Sequence, residues 1–258
     1  MVQTKTRRIL ITICGRGGSK GLKNKNLVDF CGFPLVYYTL SAAMRFKASQ
    51  PYSQVDIALN TDSKALADLV MNKYPEAVYL PRSSELSGDF VPKMMVFQDS
   101  LMRMEQMNRY VYDLVIDLDI TSPLRIDEDI ANAINALEAQ SELDLIFTVT
   151  PARRNPYFNM VQSSGIGVKR VIDSVFTSRQ QAPQIYDLNA SIYVFRRDFL
   201  SDNRSGNIWE GKIGISVMKD TGVLDIDSEE DFHLMEVIAS YLYKSNPLFA
   251  EIRNDIRK

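Results

Sequence analysis

Residues 9–26 read Ile-Leu-Ile-Thr-Ile-Cys-Gly-Arg-Gly-Gly-Ser-Lys-Gly-Leu-Lys-Asn-Lys-Asn, and the change of texture inside them decides the fold. Ile9 to Ile13 is a continuous apolar, mostly β-branched run, the pattern of a strand buried on both faces. It gives way to Gly15, Gly17, Gly18 and Gly21, with Arg16, Lys20 and Lys25 set among or just beyond them. Glycine lets the backbone turn tightly and approach a ligand, because no Cβ intervenes. Exposed backbone N–H groups beside fixed cations form a seat for phosphate. Two familiar phosphate patterns fail here. Lys20 follows Ser19 instead of preceding a Ser or Thr, and the glycines run Gly15-x-Gly17-x-x-x-Gly21, one residue too long for the dinucleotide fingerprint. What remains is a basic loop suited to a triphosphate, with a glycine-rich surface turn as the plainer alternative.

Outward from this loop, strands and helices alternate to about residue 150. Pro34 opens a helix over 35–46, and 55–59 is a strand. Thr61-Asp62-Ser63 caps a helix over 64–73 that Pro75 closes, and 77–80 is a short strand. The turn-rich segment 81–92 leads into a methionine-bearing helix over 93–106, which reads as core filler. Further strands are expected at 114–118 and 143–149, with a helix over 128–139 between them. The fold class predicted is α/β: a mostly parallel sheet with helices on both faces. Ligands of such sheets sit beyond the carboxyl ends of the strands, where the loops 15–26, 60–62 and 119–125 fall.

From Pro151 the chain becomes polar and aromatic. Residues 165–175 alternate like a short hairpin and 177–183 read as extended loop. Residues 151–188 are therefore expected to form an inserted lobe that covers the site or meets another subunit. The segments 1–150 and 189–258 make the main nucleotide-binding domain. The second segment contributes strands at 190–195, 213–218 and 221–226, then a helix over 228–244 opened by a Ser228/Asp231 capping box.

Composition excludes several classes. The 258 residues carry a formal net charge of −2, so bulk attraction to nucleic acid is not indicated and any anion binding must be local. Two cysteines, Cys14 and Cys31, cannot build a disulfide framework or a zinc knuckle, and reduced thiols fit a cytoplasmic location. No signal peptide is expected ahead of the first strand, and no apolar span is long enough to cross a membrane. The single histidine, His233, falls in an amphipathic helix and leaves no material for a histidine-rich metal site. Any metal should be hard and oxygen-ligated.

Asp225 and Asp227 stand two apart where a strand ends, so both carboxylates point to one side. They suit a Mg²⁺ that completes its shell with phosphate oxygens and water. As acids feeding the macrodipole of the following helix they would need no metal. Arg82 could hydrogen-bond a base or lie on the surface. Arg153, Arg154 and Arg179, with Asn155, Tyr157 and Asn189, offer planar donors suited to a carboxylate.

Taken together, Cys-Gly-Arg-Gly-Gly-Ser-Lys-Gly (14–21) followed by Lys25-Asn26 resembles the signature loop of the N-acylneuraminate cytidylyltransferases, the CMP-sialic acid synthetases. Arg82 with Ser-Glu-Leu, Thr-Ser-Pro-Leu-Arg (121–125), Arg-Gln-Gln-Ala-Pro (179–183), Asn-Ala-Ser-Ile-Tyr (189–193) and Asp-Ile-Asp-Ser-Glu (225–229) follow in the family's order. The sialic acid enzymes usually have Leu-Gln-Pro before Thr-Ser-Pro-Leu-Arg, whereas this chain has Leu118-Asp119-Ile120. With Pro-Ala-Arg-Arg-Asn-Pro-Tyr-Phe-Asn (151–159), that looks more like the branch that activates legionaminic acid. The resemblance implies a Rossmann-like nucleotidyltransferase that joins CTP to a nonulosonic acid, giving a CMP-sugar and pyrophosphate. It also implies Mg²⁺ and a cytoplasmic homodimer whose inserted lobe reaches over the partner's site. By motif, Gly15, Arg16, Gly17, Gly18, Ser19, Lys20, Lys25 and Asn26 would bind the triphosphate and Arg82 the cytosine. Asp225 and Asp227 would hold Mg²⁺. Asp119, Arg153, Arg179, Asn189 and Tyr193 would shape the pocket for the sugar acid. CMP-N-acetylneuraminate or CMP-pseudaminate synthesis, a nucleotide-sugar glycosyltransferase and a nucleotide sensor without turnover remain the alternatives.

Overall fold

The computed structural model describes residues 6–18, 22–219 and 226–257. Its elements, in chain order, are β1 (Arg7–Gly15), β2 (Asp29–Phe30), β3 (Phe33–Pro34), α1 (Leu35–Ala48), β4 (Ser53–Thr61), α2 (Lys64–Lys73), β5 (Val78–Pro81), α3 (Lys93–Asn108) and β6 (Leu114–Leu118). Then come α4 (Asp127–Glu138), β7 (Leu145–Pro151), β8 (Val161–Ser163), β9 (Val168–Arg170), β10 (Tyr186–Arg196), α5 (Arg197–Asp202), β11 (Ile213–Val217), α6 (Glu229–Ser245) and α7 (Pro247–Ile256). Seven strands form one sheet in the order β11-β7-β10-β6-β1-β4-β5. β1 pairs in parallel with β4 and β6, β4 with β5, and β11 with β7, while β10 runs antiparallel between β6 and β7.

The apolar run that opens the chain explains why the sheet is covered twice. Side chains alternate across a strand, so Ile9, Ile11 and Ile13 enter one core with residues of α1, α2, α4, α6 and α7. Leu10 faces the other way, into a smaller core with Met94, Phe97, Leu101 and Met104 of α3 and with Leu200 of α5. The expected α/β architecture with helices on both faces is what the chain adopts.

Local chemistry sets the element ends. Ser63 caps α2 by accepting a hydrogen bond from the Leu66 N–H at 3.3 Å. Ser228 caps α6 by accepting from the Asp231 N–H, while the Asp231 carboxylate accepts from the Ser228 N–H, the reciprocal box the sequence announces. α3 departs from the expectation of core filler: Met94 and Met104 are buried, but Met95, Met102 and Met107 are exposed. A helix lying on one side of a sheet buries only one stripe. Two helices, α5 and α7, were not anticipated. The expected strand over 221–226 falls almost wholly outside the described residues.

β1 is central to the site. From β1 the chain goes to β4 and β5 on one side, then returns to place β6 on the other. That reversal opens a crevice at the carboxyl ends of β1 and β6, where ligands of open α/β sheets bind.

Candidate active site

Gly15 ends β1 in a space that admits no side chain. A Cβ there would stand 2.6 Å from Leu66 Cδ2 and 2.9 Å from Ile120 Cδ1. Gly18 needs its freedom for a different reason, since its φ of 71° lies in the left-handed region. Between them the Gly17 N–H donates to Asp62 Oδ1 at 2.7 Å, fixing the turn against the loop after β4. Asn26 Nδ2 donates to the Arg16 carbonyl at 3.2 Å and ties the far side of the loop back to its start.

The loop meets the other end of the chain through one lysine. Lys25 Nζ donates to the Ile226 carbonyl at 2.6 Å and to Asp227 Oδ1 at 2.9 Å, across some 200 residues of sequence. The Ile226 N–H donates to the Thr121 carbonyl at 3.3 Å, so the acidic turn is also tied to the loop after β6. Three segments distant in sequence are thereby tied together at the carboxyl ends of β1 and β6.

Together with residues 82–97 they line a cavity of about 440 Å³. Arg16, Lys25, Asn26, Arg82, Asp119 and Asp227, all named from the sequence, line it. Arg82 is not a loose surface arginine: its Nε donates to Asn60 Oδ1 and its Nη2 to the Asn60 carbonyl, both at 2.8 Å. Gly17 and Gly18 lie beside Arg16 in a smaller adjoining recess. Ser19 and Lys20 of the loop, and Asp225 of the carboxylate pair, lie outside the described residues.

Four expected contacts stand apart from this cavity's lining. Arg153 and Arg179 lie in the segment between β7 and β10, where Arg179 Nη2 donates to the Ala152 and Arg153 carbonyls. Asn189 is buried in a bulge of β10, its Oδ1 accepting from Thr148 Oγ1 at 2.7 Å and from the Ser191 N–H at 3.2 Å. Tyr193 stacks on Phe195 in the second core, in register with Asp117 of β6.

The cavity also holds residues that sequence reasoning missed. Asp89 pairs with Arg16, and Lys93 Nζ lies 2.5 Å from Asp119 Oδ2. Asp119 accepts twice more at Oδ1, from the Thr121 N–H at 3.0 Å and Thr121 Oγ1 at 2.7 Å. Burial works to raise the Asp119 pKa, but the Lys93 ammonium and these hydrogen bonds outweigh it and hold the carboxyl well below its usual range. Beneath them Asp117 is buried and accepts from Thr12 Oγ1 at 3.0 Å. Burial pushes Asp117 up to about 7, against the pull of Lys93 and with the added push of Asp119. Burial also raises the Cys14 thiol well above its ordinary value, and Asp117 adds to the effect. Arg125 is fully buried and donates to the Asp119 and Ser122 carbonyls, bracing the loop that presents Asp119. The signal for Lys93 was present in the sequence, a lysine opening α3 straight after Pro92. Only the fold brings it to Asp119.

The residues suit a hard cation beside phosphates. Asp227 keeps its side chain 75% exposed at the cavity while Lys25 holds one of its oxygens, and Mg²⁺ takes one or two carboxylates plus phosphate oxygens and water. Among the described residues no cluster of three or more His, Cys, Asp or Glu forms a metal cage. No helix of the described residues is long and apolar enough to cross a membrane.

Comparison with known proteins shows the family and the fold. The chain is 39% identical over 232 residues to CMP-N,N'-diacetyllegionaminic acid synthase of Campylobacter jejuni, covering 90% of this chain and 95% of that protein. It is 38% identical over 230 residues to post-translational flagellin modification protein B of Campylobacter coli, covering 89% and 94%. In fold it is similar to the solved structure of CMP:2-keto-3-deoxy-manno-octonic acid synthetase complexed with CTP, with a TM-score of 0.63 at 14% identity over 91% of this chain and 99% of that one. The family described as cytidylyltransferase matches residues 10–239, and the chain belongs to that family.

Proposed function

We propose that this protein joins CTP to a nonulosonic acid of the legionaminic type, giving the CMP-sugar and pyrophosphate. The observation that carries this reading is the bond from Lys25 to Asp227, which sets a phosphate-type loop and an acidic turn against one cavity. The choice of acid draws on the activity named for the 39% identical relative and on Asp119 standing where the sialic acid enzymes usually have glutamine.

In the reaction the anomeric hydroxyl of the sugar attacks the α-phosphorus in line. One P–O bond forms as the bond to the β-phosphate oxygen breaks, and the hydroxyl proton is lost to solvent or to pyrophosphate. Phosphoryl transfer of this kind rests on positioning and charge stabilisation. Arg16 and Lys25, with Lys20, would meet the charge that grows on the leaving pyrophosphate. Binding the triphosphate would require Arg16 to exchange Asp89 for phosphate oxygens. Arg82, braced by Asn60, would face the base. Asp227, with Asp225, would hold Mg²⁺, which when bound supplies charge neutralisation at the phosphates and a lower pKa for the attacking hydroxyl.

A homodimer completes the proposal. Residues 151–188 would form the dimerising lobe and cover the partner's site, and their exposed apolar side chains support that role. A cytoplasmic location fits two free thiols, Cys14 and Cys31.

The test is a pyrophosphate-release assay with CTP, Mg²⁺ and a panel of legionaminic, N-acetylneuraminic and pseudaminic acids. Release is expected to be fastest with the legionaminic acid. A faster rate with either of the others would reassign the substrate, and no release with any acid would overturn the proposal.

A further inference from the structure

We propose that Lys93, carried on Asp119, is the side chain that meets the sugar acid, and that Asp119 is a positioning residue which does not itself touch it. This rests on the reaction proposed above and deepens it by assigning the contact.

The Asp119 carboxylate is nearly filled. Three of its roughly four acceptor positions are taken, one by Lys93 and two by Thr121. Its side chain is only 12% exposed. Little of it is left open to a substrate hydroxyl. Lys93 is in the opposite state. Its side chain is 61% exposed, it lines the cavity, and an ammonium has three donors of which the pair with Asp119 uses one. The remaining donors are available to an acceptor in the cavity.

The position of Lys93 in α3 argues against a merely structural role. It is the first residue of the helix, after Pro92, in a first turn that has no acidic residue. A cation there opposes the helix macrodipole, which favours anions at the N-terminus. Helix stability therefore does not explain this lysine, whereas Asp119 across the crevice does. An aspartate with a lysine on it presents a cation to the cavity. The group this cation fits is an anionic or carbonyl oxygen of the sugar acid, its carboxylate foremost.

The wild-type protein is first assayed for pyrophosphate release with CTP and each acid. If no acid supports release, the proposed reaction fails and the assignment, which rests on it, falls with it. With a working acid, Lys93→Met is expected to raise the KM for the acid at least tenfold while the KM for CTP stays within about twofold. Lys93→Arg should restore part of the loss. Asp119→Asn should also raise the acid's KM, and the double variant Lys93→Met/Asp119→Asn should be no worse than Lys93→Met alone, because Asp119 acts through the lysine. Additive losses would overturn the assignment by showing that Asp119 contacts the acid directly. A rise in the KM for CTP in place of the acid's would overturn it by moving the lysine to the nucleotide. Thermal melting of each variant separates these outcomes from loss of fold.

Discussion

The cavity at the carboxyl end of the sheet and the lobe after residue 151 are built on opposite plans. Around the cavity, pairing joins separate segments of the fold: Arg16 with Asp89, Lys93 with Asp119, and Lys25 with Asp227, which links the two ends of the chain. Between β7 and β10, the bonds of Arg170 and Asn155 stay within the connecting segment. Arg170 donates to Ser174 and to the Tyr157 and Phe176 carbonyls, and Asn155 Nδ2 to the Pro183 carbonyl. The lobe leaves Val161, Ile166, Val168 and Val175 more than half exposed, whereas the strands beneath the cavity are buried on both faces. The segment between β7 and β10 leaves apolar surface of the sort that marks an interaction site.

The largest expected effect lies at the cavity. Arg16→Ala should lower kcat for pyrophosphate release by about 10²–10³-fold, the range for losing one preorganised donor to developing charge. The melting temperature should move little, because the Arg16–Asp89 pair is partly exposed and such pairs are worth roughly 0–1 kcal/mol. Asp227→Asn should lower the rate comparably and weaken the response to added Mg²⁺. Near-normal turnover in Arg16→Ala would remove the contrast by showing that the cavity is not where the chemistry occurs. Steady-state kinetics and a melting curve on the same preparation decide it.

Much of this contrast could be read from the sequence, and the reasons differ by element. β1, α2 and β6 announce themselves because an unbroken apolar run, a Ser cap and a closing Pro are local signals. The capping box at Ser228 and Asp231 is likewise local, and the structure contains it. The direction of β10 was not legible, since an apolar strand looks alike beside parallel and antiparallel neighbours. Its reversal depends on how the lobe returns the chain. α7 carried a signal that went unread: Asn246 caps it by accepting from the Leu248 N–H, Pro247 opens it, and Phe249, Ile252 and Ile256 form its buried stripe. At the site, residue types gave Arg16, Lys25, Arg82 and Asp227. They could not give Lys93, whose meaning arises only when the start of α3 is brought across from the end of β6. Asp119 was legible as a pocket residue, but not the filling of its oxygens by Thr121 and Lys93.

A smaller effect is expected at the lobe. Val168 lies on the β8–β9 hairpin and is 67% exposed. Val168→Asp should shift the protein from dimer toward monomer in sedimentation velocity at micromolar concentration. Its melting temperature should fall only by the contribution of the lost association, because the substitution leaves the sheet's cores intact. A dimer unaffected by the change, or a wild-type protein that sediments as a monomer, would mean that the exposed apolar surface serves another purpose. The regional contrast would then stand without its proposed explanation.

The smallest effect belongs to Asp117, which lies under the cavity and takes part in no proposed contact with substrate. Its pKa in the folded chain is pushed up to about 7, with burial as the leading cause, against about 3.9 when unfolded. Between those values the folded state binds more protons than the unfolded one, so this group makes stability fall as pH rises from about 4 to about 7. Above pH 7 its unfavourable contribution is fully expressed. Asp117→Asn keeps the shape and can still accept from Thr12 Oγ1, but it cannot ionise. The variant should therefore lose that downward slope and, at pH 8, melt several degrees above the wild type, at about 2–4 °C per kcal/mol for a chain of this size. At pH 4 the two proteins should melt together. A melting temperature that falls with rising pH as steeply in the variant as in the parent would assign the pH response to other groups. It would also show that Asp117 is ionised at neutral pH, leaving Lys93 shared between two carboxylates in place of resting on Asp119.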